Sequence, residues 1–139
     1  MIKTDNTRGA SLKDIKEREK EKLQSETRLK CEAWAEEKYT KAKVVAWSNQ
    51  NKGLWYLPIV DDNGNIEKCL ILRPITRHIL SYASTKIEDE GLYTFLEAAM
   101  RECMIEGDSE ILDDDEYFIP AAMQFNDIMK GKKAMLLKR

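Results

Sequence analysis

Between Glu106 and Glu116 the chain carries seven carboxylates: Glu106, Asp108, Glu110, Asp113, Asp114, Asp115 and Glu116. Such a density of hard oxygen donors is what Ca²⁺ and Mg²⁺ select. A calcium loop, however, needs ligands at alternate positions, a central glycine and a closing glutamate, and this run lacks that spacing. It reads better as a solvated loop entering a helix N-terminus, where the helix dipole favours negative charge. A second acidic run, Asp61-Asp62-Asn63-Gly64-Asn65, reads as a hairpin turn. His78, the only histidine, could serve as a general base, yet no serine or cysteine nucleophile motif accompanies it and GxSxG is absent. The six glycines are scattered, none in a phosphate-cradling pattern. Cys31, Cys69 and Cys103 lie far apart without CxxC or Cys/His spacing, so neither a zinc site nor a disulfide framework is indicated. No catalytic, cofactor-binding or metal-ligating residue is assigned, and the chain is expected not to be an enzyme.

Binding chemistry is better represented. Lys130, Lys132, Lys133, Lys138 and Arg139 form a basic tail that could neutralise phosphates, although five cations without base readout give only weak, salt-sensitive attraction. The same charges suit a helix C-terminus. Trp34, Trp47, Trp55 and Tyr56 could stack on bases, but their flanking periodicity favours core or interface packing. Met100, Met104, Met123, Met129 and Met135 gather in the C-terminal half, and methionine adapts to irregular apolar partners. Core filling is the default explanation for most of them.

The elements that must position these residues follow from pattern. The 139 residues are enough for one domain, with 42% hydrophobic residues for a core and 35% charged residues for a wide solvated face. Lys plus Arg total 23 against 25 for Asp plus Glu, a net charge of −2 that argues against a dedicated nucleic-acid binder. No apolar run approaches the ~18 residues of a membrane span, and the first residues lack a signal-peptide pattern. Unpaired thiols predict a reducing compartment, the cytoplasm of the cell that makes the protein.

Residues 1–10 are polar and aperiodic, and read as a flexible arm. A charged helix is expected over 11–50, capped by Ser11 with Asp14 three residues on, and stopped near Gly53. Its first half offers only Leu12, Ile15, Leu23 and Leu29 as apolar contacts, so it projects into solvent or awaits a partner. Residues 51–139 form the remaining unit, a hairpin plus helical domain. LWYLPIV at 54–60 and IEKCLIL at 66–72 flank Asn63-Gly64, the signature of a type I′ hairpin turn. Pro58 cannot donate a ladder hydrogen bond, so the first strand should lie at an edge. Three helical segments follow, from Thr76, from Leu92 with its stripe ended by Gly107, and a last one whose start Pro120 pushes toward Tyr117 rather than Asp114. The fold class is α+β: a long N-terminal helix, one β-hairpin and three C-terminal helices packed on it.

The stretch 54–137 also resembles a family of small phage tail-assembly chaperones. The resemblance rests on the order of a hairpin ending in Leu72-Arg73-Pro74, a short helix at Ile75–Thr85, and a helix Glu97–Cys103 followed by Ile105-Glu106-Gly107-Asp108. Ala121-Ala122-Met123-Gln124-Phe125 and a Lys-rich apolar end complete it. The resemblance implies a bacteriophage protein of the host cytoplasm that binds a tape-measure or other tail protein, oligomerises around it and has no cofactor. Partner contacts are then expected at Trp55, Tyr56 and Leu57 on the edge strand and at Met100 and Met104. Two rival classes are a virion adaptor that stays in the mature particle and a nucleic-acid-binding accessory protein using the basic tail.

Overall fold

The computed structural model describes residues 11–85, 91–129 and 135–139. Helix α1 spans Leu12–Tyr39 and α2 spans Lys41–Asn51. Strands β1 (Trp55–Val60) and β2 (Ile66–Leu72) form the hairpin. Then come α3 (Arg77–Ser84), α4 (Leu92–Cys103), β3 (Met104–Gly107), the single turn α5 (Glu110–Asp113) and α6 (Asp115–Ile128). The sheet is antiparallel in the order β1-β2-β3, so the α+β class holds and β1, with Pro58, is an edge.

Helices cover both faces of this sheet. On one face Leu57, Leu70 and Leu72 join Ile79, Ala83, Leu96, Ala99, Met100, Cys103, Ile111, Phe118, Ala122 and Phe125 in the main core. On the other, Ile71 packs with Ala35 of α1 and Val44 of α2, with Trp34, Tyr39, Trp47, Tyr56 and Ile105 around them. Cys69, Leu70, Ile71 and Leu72 are therefore buried whichever way they point. Each fully buried Leu or Ile contributes about 1.5–3 kcal/mol, which makes β2 the strand on which the fold depends.

Four local features differ from the pattern read in the sequence. First, the N-terminal helix breaks at Thr40. Ser11 caps its start as expected, its hydroxyl accepting from Asp14 N at 3.1 Å. Thr40, however, adopts φ 90° and ψ 148°, a region open almost only to glycine and costing about 1–3 kcal/mol for other residues. Its amide donates to Glu36 O at 2.9 Å and its carbonyl accepts from Val44 N at 3.2 Å, so one residue closes α1 and opens α2. The bend turns Val44 and Trp47 onto the sheet, and that burial offsets the strain. Second, the hairpin turn has positive φ at Gly64 alone, not at Asn63. Gly64 N donates to Asp61 O at 3.0 Å and Asp61 N to Asn65 O at 3.0 Å, a type I turn closed by a glycine bulge. The Asp61 carboxylate decides the choice: it accepts from both Asn63 N and Asn65 N at 2.9 Å.

Third, the residues after Cys103 leave the helix and pair with the free edge of β2, with Leu70 opposite Gly107 and Leu72 opposite Met104. Gly107 has φ +129°, and a Cβ there would meet Cys69 O at 2.5 Å. The glycine read from pattern as a helix stop also lets two backbones touch. Fourth, α6 starts at Asp115, capped by the Asp114 carboxylate accepting from Glu116 N at 3.0 Å, and Pro120 lies inside it. Proline there leaves the carbonyl of Glu116 without its helical donor. Glu116 is exposed, so water can serve that carbonyl, which is why the helix tolerates the break. The expected arm at residues 1–10 lies outside the described residues.

Candidate functional site

Four of the seven carboxylates that first suggested metal chemistry have separate structural tasks. Asp108 N donates to Cys69 O at 3.0 Å, and its carboxylate accepts from Cys69 N at 3.0 Å and from Lys38 Nζ at 3.1 Å. It thus ties α1 to both strands, and the bond to its carboxylate raises the affinity of Lys38 for its proton. Glu110 pairs with Lys68 at 2.9 Å, Asp113 with Arg101 at 3.0 Å, and Asp114 caps α6. Among the described residues no group of three or more His, Cys, Asp or Glu side chains is placed to hold a metal. His78 is exposed in the first turn of α3, remote in sequence from the acidic cluster.

The expected partner-contact set separates. Trp55 is 47% exposed at the start of the edge strand and is the one member open to a partner. Tyr56 turns toward α1, where its hydroxyl donates to Glu32 Oε2 at 2.8 Å. Burial, and then that bond to a carboxylate, hold its phenol above the ordinary tyrosine value. Leu57 and Met100 are core residues, 7% and 0% exposed, and Met104 is half-buried against the same core. Met123, at 58%, is the exposed methionine of α6. Trp34, Tyr39 and Trp47 meet edge to face, centroids 6.0 and 5.4 Å apart, over Val44 and Ile71. They serve packing; Lys38 lies 5.0 Å over the Trp34 ring. Of the basic tail, Lys130, Lys132 and Lys133 lie outside the described residues, while Met135, Leu136, Leu137, Lys138 and Arg139 are exposed.

The cysteines divide between the two layers. Cys31 of α1 and Cys69 of β2 meet under the N-terminal helix, and their mutual hydrogen bond, then burial, hold the Cys69 thiol well above its ordinary value. Cys103 lies in the main core, where burial pushes its thiol up to about 11. The same contact with Cys69 lowers the Cys31 thiol, but all three cysteines are buried and lack the exposure of a reactive thiol in an open site.

What stays open is α1. Its last turns are clasped to the domain: Lys30 Nζ donates to Gly64 O at 2.9 Å, Glu32 accepts from Tyr56, and Lys38 pairs with Asp108. Cys31 and Ala35 are buried beneath it. Upstream, every residue from Leu12 to Glu26 is exposed. Leu12, Ile15, Leu23 and Leu29 are 76%, 42%, 61% and 66% exposed. At 100° per residue the four fall within about 120° of arc, roughly 150° round the helix from Cys31 and Ala35. The stripe is therefore separate from the face that holds α1 to its own domain. Sequence reading isolated these four residues, whereas the clasp residues Lys30, Glu32 and Asp108 gave no local signal, because their partners are distant in the chain.

Two open grooves run along α1, one lined by Lys13, Lys16, Glu17 and Lys20 and the other by Glu21, Gln24, Ser25 and Arg28. Such exposed grooves do not bury a small ligand. No described helix is long and apolar enough to cross a membrane. Neither protein-family models, nor curated proteins, nor solved structures provide a match to this chain.

Proposed function

We propose that this chain is a non-enzymatic tail-assembly chaperone of the phage type, which holds a long helical, tape-measure-like protein along α1 in the host cytoplasm. The observation that carries this reading is the projecting segment of α1, with four exposed apolar side chains on a face its own domain does not use. A helix with a narrow apolar stripe and charges elsewhere suits a partner helix, which meets it through i, i+3, i+4 and i+7 anchors. The mixed charges of α1, Lys and Arg interleaved with Glu, would keep such a complex soluble while disfavouring nucleic acid. The order of hairpin and helices over residues 54–137 supports the family assignment.

Co-expression tests it. A long helical tape-measure protein should be soluble with the native chain and insoluble with a Leu12→Ser, Leu23→Ser, Leu29→Ser variant that keeps its own fold. Equal solubility with both chains would refute the role of α1. A virion adaptor would use the same projecting helix to dock on a neighbouring subunit. Mass spectrometry of purified particles separates the readings: the chaperone is absent from them, the adaptor present at fixed stoichiometry.

A further inference from the structure

The structure points to a second partner surface, independent of what the free end of α1 binds. We propose that this chain exchanges α1 with a second copy of itself, straightening at Thr40 to give a domain-swapped dimer. Three observations converge on that residue. Thr40 is the entire connection between α1 and α2, and it holds a backbone conformation that disfavours a β-branched side chain. No glycine or proline occurs from Ser11 to Asn51, so nothing in the side chains prevents one continuous helix. The strain belongs to the bend alone, since a helix running through residues 39–41 puts Thr40 at ordinary helical angles.

The contacts that hold α1 down are also transferable. Lys30 to Gly64, Glu32 to Tyr56, Lys38 to Asp108, and Cys31 and Ala35 over the sheet all join α1 to residues beyond the hinge. Each can be remade against a second copy with the same geometry, as can the Tyr39–Trp47 contact across the joint. Val44 and Trp47 of α2 stay on their own sheet. Exchange thus conserves the interactions of the monomer and releases the strain of two hinges. The entropy of association and the loss of the weak Thr40 cap on Lys43 N oppose it, so dimer should grow with concentration. Short strained connections invite such exchange.

The test is the oligomeric state of the full chain after refolding over a range of concentrations, by size exclusion with light scattering. The native chain is compared with Thr40→Gly and Thr40→Ala. Glycine accepts the bent conformation and weakens a continuous helix, so Thr40→Gly should weaken dimerisation at least tenfold, equivalent to 1.4 kcal/mol. Alanine favours the straight helix and lacks the Thr40 hydroxyl that faces Lys43 N at 3.4 Å, so it should strengthen dimerisation. A native chain and Thr40→Ala variant that stay monomeric throughout overturn the proposal. So does a dimer indifferent to residue 40, which would assign self-association to another surface.

Discussion

Gly107→Ala separates the third strand from the rest of the fold and has a magnitude that follows from the structure. A Cβ at residue 107 would lie 2.5 Å from Cys69 O, 2.9 Å from Leu70 Cα and 3.3 Å from Ile71 N. All three are backbone atoms of the central strand, so no side chain can turn aside. Restoring ordinary contact needs a separation of roughly 1 Å, given optimal non-bonded spacing near 3.5 Å. That movement stretches the Asp108 N to Cys69 O bond from 3.0 Å past the useful range. It also disturbs the bond from Cys69 N to the Asp108 carboxylate.

The losses are about 0.5–1.5 kcal/mol for the neutral bond and about 1.5–3 kcal/mol for the charged one. Alanine at φ +129° adds about 1–3 kcal/mol. Together these give a destabilisation of about 3–7.5 kcal/mol, a large part of the 5–15 kcal/mol typical of a folded domain. Urea unfolding followed by tryptophan fluorescence measures it, since Trp34 and Trp47 sit over the sheet face that α1 and α2 cover. Gly91→Ala is the control: φ there is +84° and a Cβ meets nothing within 4 Å, so only the backbone term of about 1–3 kcal/mol applies. If both variants lose the same stability, the close approach of β3 to β2 does not matter energetically and this account of the strand fails.

Three further outcomes are expected. Pro120→Ala restores a helical hydrogen bond to the Glu116 carbonyl and should raise stability by about 1–3 kcal/mol in the same urea assay; no gain would mean that water already serves that carbonyl fully. Tyr56→Phe removes the hydroxyl that reaches Glu32 and should cost about 0.5–1.5 kcal/mol, because the half-exposed carboxylate can be rehydrated. Alkaline pH should destabilise the protein through Cys103. Its folded value is raised, so its contribution is complete below the ordinary 9.0 and is lost as pH rises toward about 11. The loss is about 1.4 kcal/mol per pH unit across that window. Cys103→Ala should flatten this part of the profile, and an unchanged slope would contradict the burial argument.

How much of this was legible in the sequence depended on the range of the interactions involved. The helix stripe at Leu96, Ala99, Met100 and Cys103, the edge position implied by Pro58 and the Ser11 cap are set by neighbours a few residues away, and pattern reveals them. The break at Thr40 is not local. KYTKAKVV holds no glycine or proline to mark a break, its valines suit helix or strand, and the bend exists because Val44 and Trp47 find a sheet face formed by residues further along the chain. Strand β3 was hidden for the same reason: four residues pair with β2 only because that edge is free and Gly107 permits the approach. At the candidate surface, the exposed stripe of α1 was visible as a helix with too few apolar residues to bury. The burial of Leu57 and Met100 was not, since an apolar residue at helix or strand spacing does not announce which partner covers it.

Helix α1 combines an anchored end with an unsupported one, and that division predicts how it moves. Among the charges from Lys13 to Glu32, opposite signs meet at i,i+4 in Lys13–Glu17, Asp14–Arg18, Lys22–Glu26, Glu26–Lys30 and Arg28–Glu32, while Lys16–Lys20, Glu17–Glu21 and Arg18–Lys22 repel. At about 0.2–0.5 kcal/mol per pair the balance is small. The free segment cannot be held by its own charges. The clasped turns supply something else: a helical nucleus, whose formation is the costly step, leaving each added residue near neutrality. Residues 12–26 should then be helical yet open readily, whereas 31–39 open only with the domain. Amide hydrogen exchange on the isolated chain should show weak protection up to Leu29 and a steep rise from Cys31, and a bound helical partner should extend the protection toward Leu12. Uniform strong protection along α1 of a chain verified as monomeric would refute this division, because nothing within one copy covers the free segment. A helix preformed but not fixed loses little conformational entropy on meeting its partner, which would suit the proposed role of holding and releasing a protein.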